Sequence, residues 1–475
     1  MSKTQVSYSR LAAYEVLAQV SEEDAYANLA LQKVLNRKNL SAEDAAFTTE
    51  LVNGAIRNQF FYENILKQVI DRPLEKVDEK VLNVLYLGIH QLLGMRVSDY
   101  AALDQSVSLA KKVAGISTGS FVNAILRNAS NKDRNEWLDE ILSTKSDPLE
   151  RLAIEYSHPI WIVRSLKQSL IINSRSTEEL PDLLEADNLA PIVNLVALDG
   201  LGDIEEAYAK GADISGLVEN AALWKQGNLR KLEGIRNNTI RVQDVGSQLI
   251  ARALANIEIS GSDERWLDLC AGPGGKAALL GALAAKHNAK LVANEVQKHR
   301  ADLVKSALRP LPRNSYEVRV DDGRNYGKNR PGFYDKVLVD APCTGLGALR
   351  RRPEARWRKQ LSDIATLVPL QQELLESAYQ AIRRDGVVAY VTCSPHIAET
   401  QGVIDQFFSK HTDAELLDTI GAIQDVAEPV LTEKPPSSFE KKFLPADTEG
   451  TTAQLWPDVH ETDAMFCAFI RKGNK

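Results

Sequence analysis

Two thiols stand at matching places in this sequence. Gly386-Val387-Val388-Ala389-Tyr390-Val391 reads as a buried strand, and Thr392-Cys393-Ser394-Pro395 follows as the chain leaves it. Val337-Leu338-Val339-Asp340 reads as a second strand, and Ala341-Pro342-Cys343 follows that one. Neighbouring strands lie roughly 5 Å apart, so sulfurs at adjacent strand ends can share one cleft. A buried cysteine taken singly is usually a small hydrophobe. A pair placed this way points instead to covalent catalysis, in which a thiolate divides a hard step into easier ones. That requires a lowered thiol pKa, which a cation or a helix N-terminus supplies. A helix opening near residues 395–398 is a candidate for the latter.

A third stretch adds a ligand. Asp268-Leu269-Cys270-Ala271-Gly272-Pro273-Gly274-Gly275-Lys276 follows a strand over 265–269 and opens a helix over 276–287. Glycines there let a ligand approach the backbone, and ligands of parallel sheets sit beyond the strands' carboxyl ends. G-x-G-x-x-G is absent and no G-K-[ST] occurs, which disfavours dinucleotides and phosphate loops. Acids recur at successive strand ends: Asp268, Glu295, Asp321 with Asp322, and Asp340. One acid alone caps a turn as readily as it holds a ligand. The set suits a molecule with ribose hydroxyls, an amino group and a cationic sulfur, and S-adenosylmethionine is such a molecule. A thiol beside a methyl donor suits cytosine C5, a carbon too poor in electrons to take a methyl group until a thiolate adds at C6. These grounds do not rank the two thiols.

The elements that must position these groups alternate in the C-terminal half. Strands are expected over 265–269, 290–294, 316–320, 335–339 and 386–391, with helices over 276–287, 297–308, 367–384 and 398–410. The run 464–472 suits a last antiparallel strand with Cys467 as plain core. This predicts a doubly wound parallel sheet over 241–475. Residues 1–145 show helical spacing over 8–20, 44–69, 78–93, 102–113 and 120–142, with Ser41 and Asp99 as caps. A small central α/β region is expected over 146–240, with a turn into a helix at 156–166 and a strand at 191–198. Residues 433–442, EKPPSSFEKK, read as an exposed loop.

Composition narrows the class. The chain has 475 residues, 44% hydrophobic and 25% charged, which predicts a multidomain soluble protein. No apolar run spans a membrane and the start shows no signal core. Four cysteines without C-x-x-C and seven scattered histidines predict no metal site and no disulfide framework, as in a reducing cytoplasm. A net charge of −7 means that polyanion binding needs a local patch. Arg350, Arg351, Arg352, Arg356, Arg358 and Lys359 around Trp357, with Glu354 the one acid, form such a patch and predict phosphate contact with stacking.

The ordered motifs carry a resemblance. VQDVGSQ (242–248), DLCAGPGGK (268–276), DDGR (321–324), DAPCTGLG (340–347), RRRPEARW (350–357), VTCS (391–394) and TDAMFCAFIRK (462–472) resemble the RsmB (Sun/Fmu) family of ribosomal RNA cytosine-C5 methyltransferases. ELVNGAIRNQFF (50–61), RPLEKVDEKVLNVLYLGIHQLL (72–93) and FVNAILRN (121–128) resemble the NusB-like RNA-binding helical domain. The resemblance implies an all-α NusB-like bundle, a central linker or RNA-contact region, and a C-terminal Rossmann-like class I methyltransferase. It implies that Cys270, Ala271, Gly272, Pro273, Gly274, Gly275 and Lys276 form the cofactor loop. Glu295 would hold the ribose, Asp322 would lie near the adenine, and Asp340 near the methionine end. It implies Cys393 as nucleophile and Cys343 as the residue that helps release the product, while DNA cytosine methyltransferases attack with the Pro-Cys thiol. Glu295 stands where the family commonly has Asp, and Gly272 where Ala is usual. The expected substrate is an unpaired or flipped cytosine of small-subunit (16S) ribosomal RNA, and a monomer is expected. The rivals are a non-catalytic RNA-binding assembly or antitermination factor, and a nicotinamide-dependent dehydrogenase.

Overall fold

Apolar positions three and four apart give the N-terminal half its helices. The computed structural model describes residues 5–225, 227–428, 434, 436 and 449–473. Helix Glu79–Leu93 turns Val81, Val84, Leu85 and Ile89 inward behind an Asp78 cap. Ser41 accepts a hydrogen bond from the Asp44 amide at 3.1 Å, as a cap should. Asp99 is instead the first residue of its helix, Asp99–Val113. Two expected helices are each divided. Asn58 separates Ala42–Arg57 from Gln59–Val69, and the Asp133 capping box starts Arg134–Ser143 after Thr118–Ala129 has ended.

The chain forms two units, Met1–Arg164 with Leu349–Arg358, and Ser165–Ala348 with Lys359–Lys475. The expected three-way division differs in two places. Residues 146–164 pack with the helices, and 165–240 pack with the α/β body. That central stretch forms an antiparallel sheet of β1 (Val193–Ala197), β2 (Asp213–Ile214), β3 (Ala221–Trp224) and β4 (Ile240–Val242), in the order β2-β3-β1-β4. Residues 433–442 lie, apart from Lys434 and Pro436, outside the described residues.

The main sheet comprises β5 (Arg265–Asp268), β6 (Lys290–Asn294), β7 (Tyr316–Arg319), β8 (Tyr334–Asp340), β9 (Ile382–Thr392), β10 (Ala414–Leu416), β11 (Ala453–Gln454) and β12 (Phe466–Lys472). Its order is β10-β12-β9-β8-β5-β6-β7, with β11 paired to β12. Strands β5 to β9 are mutually parallel, and β12 runs antiparallel to β9. Alternation sends Val387, Ala389, Val391, Cys467 and Phe469 into one helix-covered face, and Val388, Tyr390, Phe466, Ala468 and Ile470 into the other. Cys467 is thus core, as expected. Strand β9 starts four residues before the expected point. The helix before it, Leu361–Ala381, is correspondingly shorter at its end, and a left-handed Asp385 with a register irregularity at Tyr334–Lys336 accommodates the change.

The strand order reverses at β5. The chain steps outward to β6 and β7, then returns to the other side at β8. Ligands of such sheets bind at this crevice, beyond the carboxyl ends. Among the described residues no helix is long and apolar enough to cross a membrane, and no cluster of three His, Cys, Asp or Glu could hold a metal ion.

Candidate active site

The strand-end acids and the two thiols Cys343 and Cys393 fall at the carboxyl edge of the parallel strands. Asp268 ends β5, Glu295 follows β6, Asp321 and Asp322 follow β7, and Asp340 ends β8. Asn294, which sequence reasoning passed over, ties these ends together. Its amide nitrogen donates to the Leu269 and Asp321 carbonyls at 3.0 Å each, and its oxygen accepts from the Asp321 amide and the Tyr326 hydroxyl at 3.1 Å. The signal was there: an asparagine at a buried strand end has four hydrogen-bonding sites to fill.

The glycine turn makes room. Gly274 has a φ of +106° and is the N-cap of helix Gly275–Lys286. A Cβ on Gly275 would meet only open space. Gly272 is different, since a Cβ there would fall 2.1 Å from Glu295 Oε2. Glu295 itself is buried. It accepts from the Gln297 amide at 3.0 Å and lies 3.6 Å from Arg300 Nε, while Arg300 also donates to the Gly272 carbonyl. The glycine and the long acid therefore form a matched pair. Gly272→Ala should cost about 1–3 kcal/mol of stability by overpacking. Adding Glu295→Asp, one methylene shorter, should recover most of it. Chemical denaturation of the two single variants and the double variant measures this, and simple additivity would disprove the pairing.

Asp268 is the most unusual acid. It is buried, neither carboxylate oxygen has a well-formed hydrogen bond, and burial with the nearby Asp340 charge pushes its pKa up to about 8. A buried carboxyl without a strong partner at the sheet crevice fits a cationic ligand group. Asp340 is already engaged, because Lys276 Nζ donates to its Oδ2 at 2.9 Å. Burial opposes the Lys276 charge, but Asp340 outweighs it and the ammonium is held more firmly than usual. Asp322 caps a short helical turn, and Arg324 grips it and lowers its pKa.

The thiols meet. Cys343 Sγ lies 3.4 Å from Cys393 Sγ, a hydrogen-bonding contact rather than a disulfide, and both cysteines are partly exposed. The loops that carry them are pinned together by the Gly347 amide, which donates to the Cys393 carbonyl at 2.9 Å. The pair is not symmetric. The hydrogen bond from Cys343 holds the Cys393 thiol below its ordinary pKa, against burial and Asp340, and the Lys276 ammonium helps. The same bond, burial and the Glu399 charge push Cys343 well up. Burial and surrounding carboxylates likewise raise Cys270, and burial raises Cys467. Of the four cysteines, Cys393 alone is shifted toward the thiolate. Lys276 supplies the cation here, where the sequence suggested a helix N-terminus; the element after Pro395 is one turn, Ile397–Glu399.

The motif at 242–248 supports the same edge. Asp244 caps helix Val245–Asn256 and accepts from the Asp463 amide at 3.2 Å, so the last loop is fixed beside the site.

The arginine stretch departs from expectation. Residues 349–358 pack with the helical unit. Arg350 and Arg356 are buried, and Arg356 Nη1 donates to the Arg57 and Ser157 carbonyls at 3.3 Å. Trp357 Nε1 donates to the Ile56 carbonyl at 2.9 Å, and Arg358 Nη2 donates to those of Val20 and Ala25. Arg356, Trp357 and Arg358 thus satisfy main-chain carbonyls of the helical unit, and the Arg356 guanidinium and the indole are committed to packing there. Arg351 is half-buried; Arg352 is exposed, its guanidinium 5.3 Å from the Tyr26 ring centroid.

Comparison with known proteins agrees with this geometry. The family model for 16S rRNA methyltransferase RsmB/F matches residues 258–471, and that for the NusB family matches 7–131. A putative methyltransferase of Mycobacterium tuberculosis is 40% identical over 466 residues, covering 98% of this chain and 96% of that protein. A probable ribosomal RNA small subunit methyltransferase B of Bacillus subtilis is 30% identical, covering 99% of this chain and 100% of that protein. The crystal structure of PH0851 shares the fold, with a TM-score of 0.77 at 21% identity over 97% of this chain and 98% of that one. A strand-end site of this kind on a chain matched from end to end leads to one conclusion: this chain belongs to the RsmB/F family of 16S ribosomal RNA methyltransferases and carries a NusB-family helical region ahead of its methyltransferase fold.

Proposed function

We propose that the chain methylates C5 of a cytosine in small-subunit ribosomal RNA, with S-adenosylmethionine as donor and a covalent Cys393–C6 bond on the way. The observation that carries this reading is the pair of thiols 3.4 Å apart just past the carboxyl ends of β8 and β9, beside the Lys276–Asp340 ion pair.

The donor supplies an electrophilic methyl group on a positively charged sulfur. Residues 270–276 would cradle it, the buried Asp268 carboxyl suits its cationic end, and Glu295 suits its ribose hydroxyls. Asp322, in the turn after β7, and Asp340, at the end of β8, flank that crevice. Cys393 attacks C6, and the ring electrons move to C5, which becomes the carbon nucleophile. After alkylation the C5 proton passes to a solvent water, its bonding pair forms the C5–C6 double bond, and the C6–sulfur bond breaks with its electron pair leaving on Cys393 as the thiolate, which restores aromaticity. Cys343 would assist by donating its S–H to the departing Cys393 thiolate, a reading supported by the 3.4 Å between the two sulfurs. The target base must be unpaired or extruded to reach a thiol at a sheet edge. Arg351 and Arg352 are the proposed RNA contacts of the basic stretch.

Incubating the protein with methyl-tritiated donor and unmethylated 16S ribosomal RNA should place label in the RNA, and bisulfite sequencing should show a protected cytosine. Label retained on a base other than cytosine, or no label above a Cys393→Ala control, would overturn the reading.

A further inference from the structure

Glu399 is fully buried, yet it is surrounded by donors from both thiol loops. Its Oε1 accepts from the Thr344 amide at 2.8 Å and from Gln371 Nε2 at 3.1 Å. Its Oε2 accepts from the Thr344 hydroxyl at 2.5 Å and from the Ser394 hydroxyl at 2.6 Å. Those hydroxyls are 3.1 Å from each other. Thr344 directly follows Cys343, and Ser394 directly follows Cys393. A second strut fixes the Cys343 loop, since Gln371 Nε2 also donates to the Pro342 carbonyl at 2.9 Å. A carboxylate with four donors is satisfied as an anion and would be costly to leave unpaired.

We propose that Glu399 is the positioning residue of the thiol pair, joining the Cys343 loop to the Cys393 loop and placing its negative charge so that Cys343 keeps the shared proton while Cys393 attacks. This deepens the methyltransferase reading and rests on it for the meaning of the attack. The geometry separates two effects. The hydrogen bonds set the sulfur-to-sulfur distance. The charge sets which sulfur is ionised, because it opposes a second anion on Cys343.

The first arm of the test reads the thiols themselves, without donor or RNA, and the second reads methyl transfer. Full-length protein is titrated with iodoacetamide, and mass spectrometry follows Cys393 and Cys343 separately. In the wild type Cys393 should be alkylated first. Glu399→Gln keeps the size and, after the hydroxyls turn, the hydrogen bonds, but removes the charge. The preference for Cys393 should then fall about tenfold. Thr344→Val with Ser394→Ala keeps the charge and cuts the side-chain ties. The preference should persist while single-turnover methyl transfer drops about 10²-fold, with little change in RNA KM. Glu399→Asp should recover the alkylation preference because the charge returns. Two results would overturn the proposal: a Glu399→Gln preference within twofold of wild type, or an unimpaired turnover in the Thr344→Val, Ser394→Ala protein. If wild-type protein alkylates as described but transfers no methyl group to RNA, the function fails and the clamp stands.

Discussion

A Cys393→Ala protein leaves the RNA unmethylated, at about 10³-fold below wild type or lower, because the step that activates C5 has no substitute nucleophile. Cys343→Ala is expected to fail differently. Cys393 still bonds to C6, but release slows by roughly 10²-fold, so RNA stays attached to the protein and migrates with it on a denaturing gel. The neighbouring sulfurs make a further distinction. Cys343 stabilises the Cys393 thiolate by hydrogen bonding across 3.4 Å, so removing it raises the Cys393 pKa. The attacking species is the anion. Bond formation in Cys343→Ala should therefore be slow at neutral pH and recover as pH rises, more steeply than in the wild type. A retained RNA band in Cys393→Ala, and none in Cys343→Ala, would reverse the two roles and give the attack to the Pro-Cys thiol.

The strand ends were legible because buried parallel strands are short apolar runs stopped by acids and glycines, and a parallel sheet gathers all such stops along one edge. That alone placed Asp268, Glu295, Asp340 and both thiols together. Helix boundaries were less legible. Spacing three and four apart continues through Asn58 and Ser130, so periodicity alone reads each divided helix as one. Helix Ala27–Lys38 was missed because three of its inward positions, Ala27, Ala30 and Val34, are small and only Leu31 is large. The burial of Arg350 and Arg356 was not legible for a physical reason. Guanidinium groups bury readily when helix-end carbonyls surround them, and which carbonyls surround Arg356 is decided by residues about 200 and 300 positions away. Glu399 was invisible for the same reason: its partners, Thr344, Gln371 and Ser394, come from three segments that only the fold assembles. The match between Gly272 and Glu295 was half-visible. The sequence shows both departures from the family pattern, and the structure shows that they meet.

Donor binding is expected to release a proton through Asp268, and Asp268→Asn to abolish that release. With its pKa pushed up to about 8 by burial and Asp340, Asp268 is mostly protonated at neutral pH in the free chain. A sulfonium or ammonium group beside it favours the ionised carboxylate, so binding expels the proton and affinity climbs with pH until about 8, where the group is already ionised. The sign for folding runs the other way. A carboxyl whose folded pKa lies above its unfolded value of 3.8 is fully accommodated below that value, and its contribution to stability declines as pH rises toward 8. The free protein should thus lose stability over the range in which the donor binds more tightly, and the donor's thermal protection should grow with pH. Asparagine fills the same space but cannot ionise. Asp268→Asn should bind the donor about 10- to 100-fold more weakly at pH 8, with a flat pH profile, since a charge-assisted hydrogen bond is lost. Calorimetry in buffers of different ionisation enthalpy counts the protons directly. A wild-type protein that releases none, or an Asp268→Asn protein that releases as many, would show that the buried carboxyl does not face the donor's charge. Asp340 is the weaker candidate for this role, because Lys276 Nζ already donates to its Oδ2 at 2.9 Å.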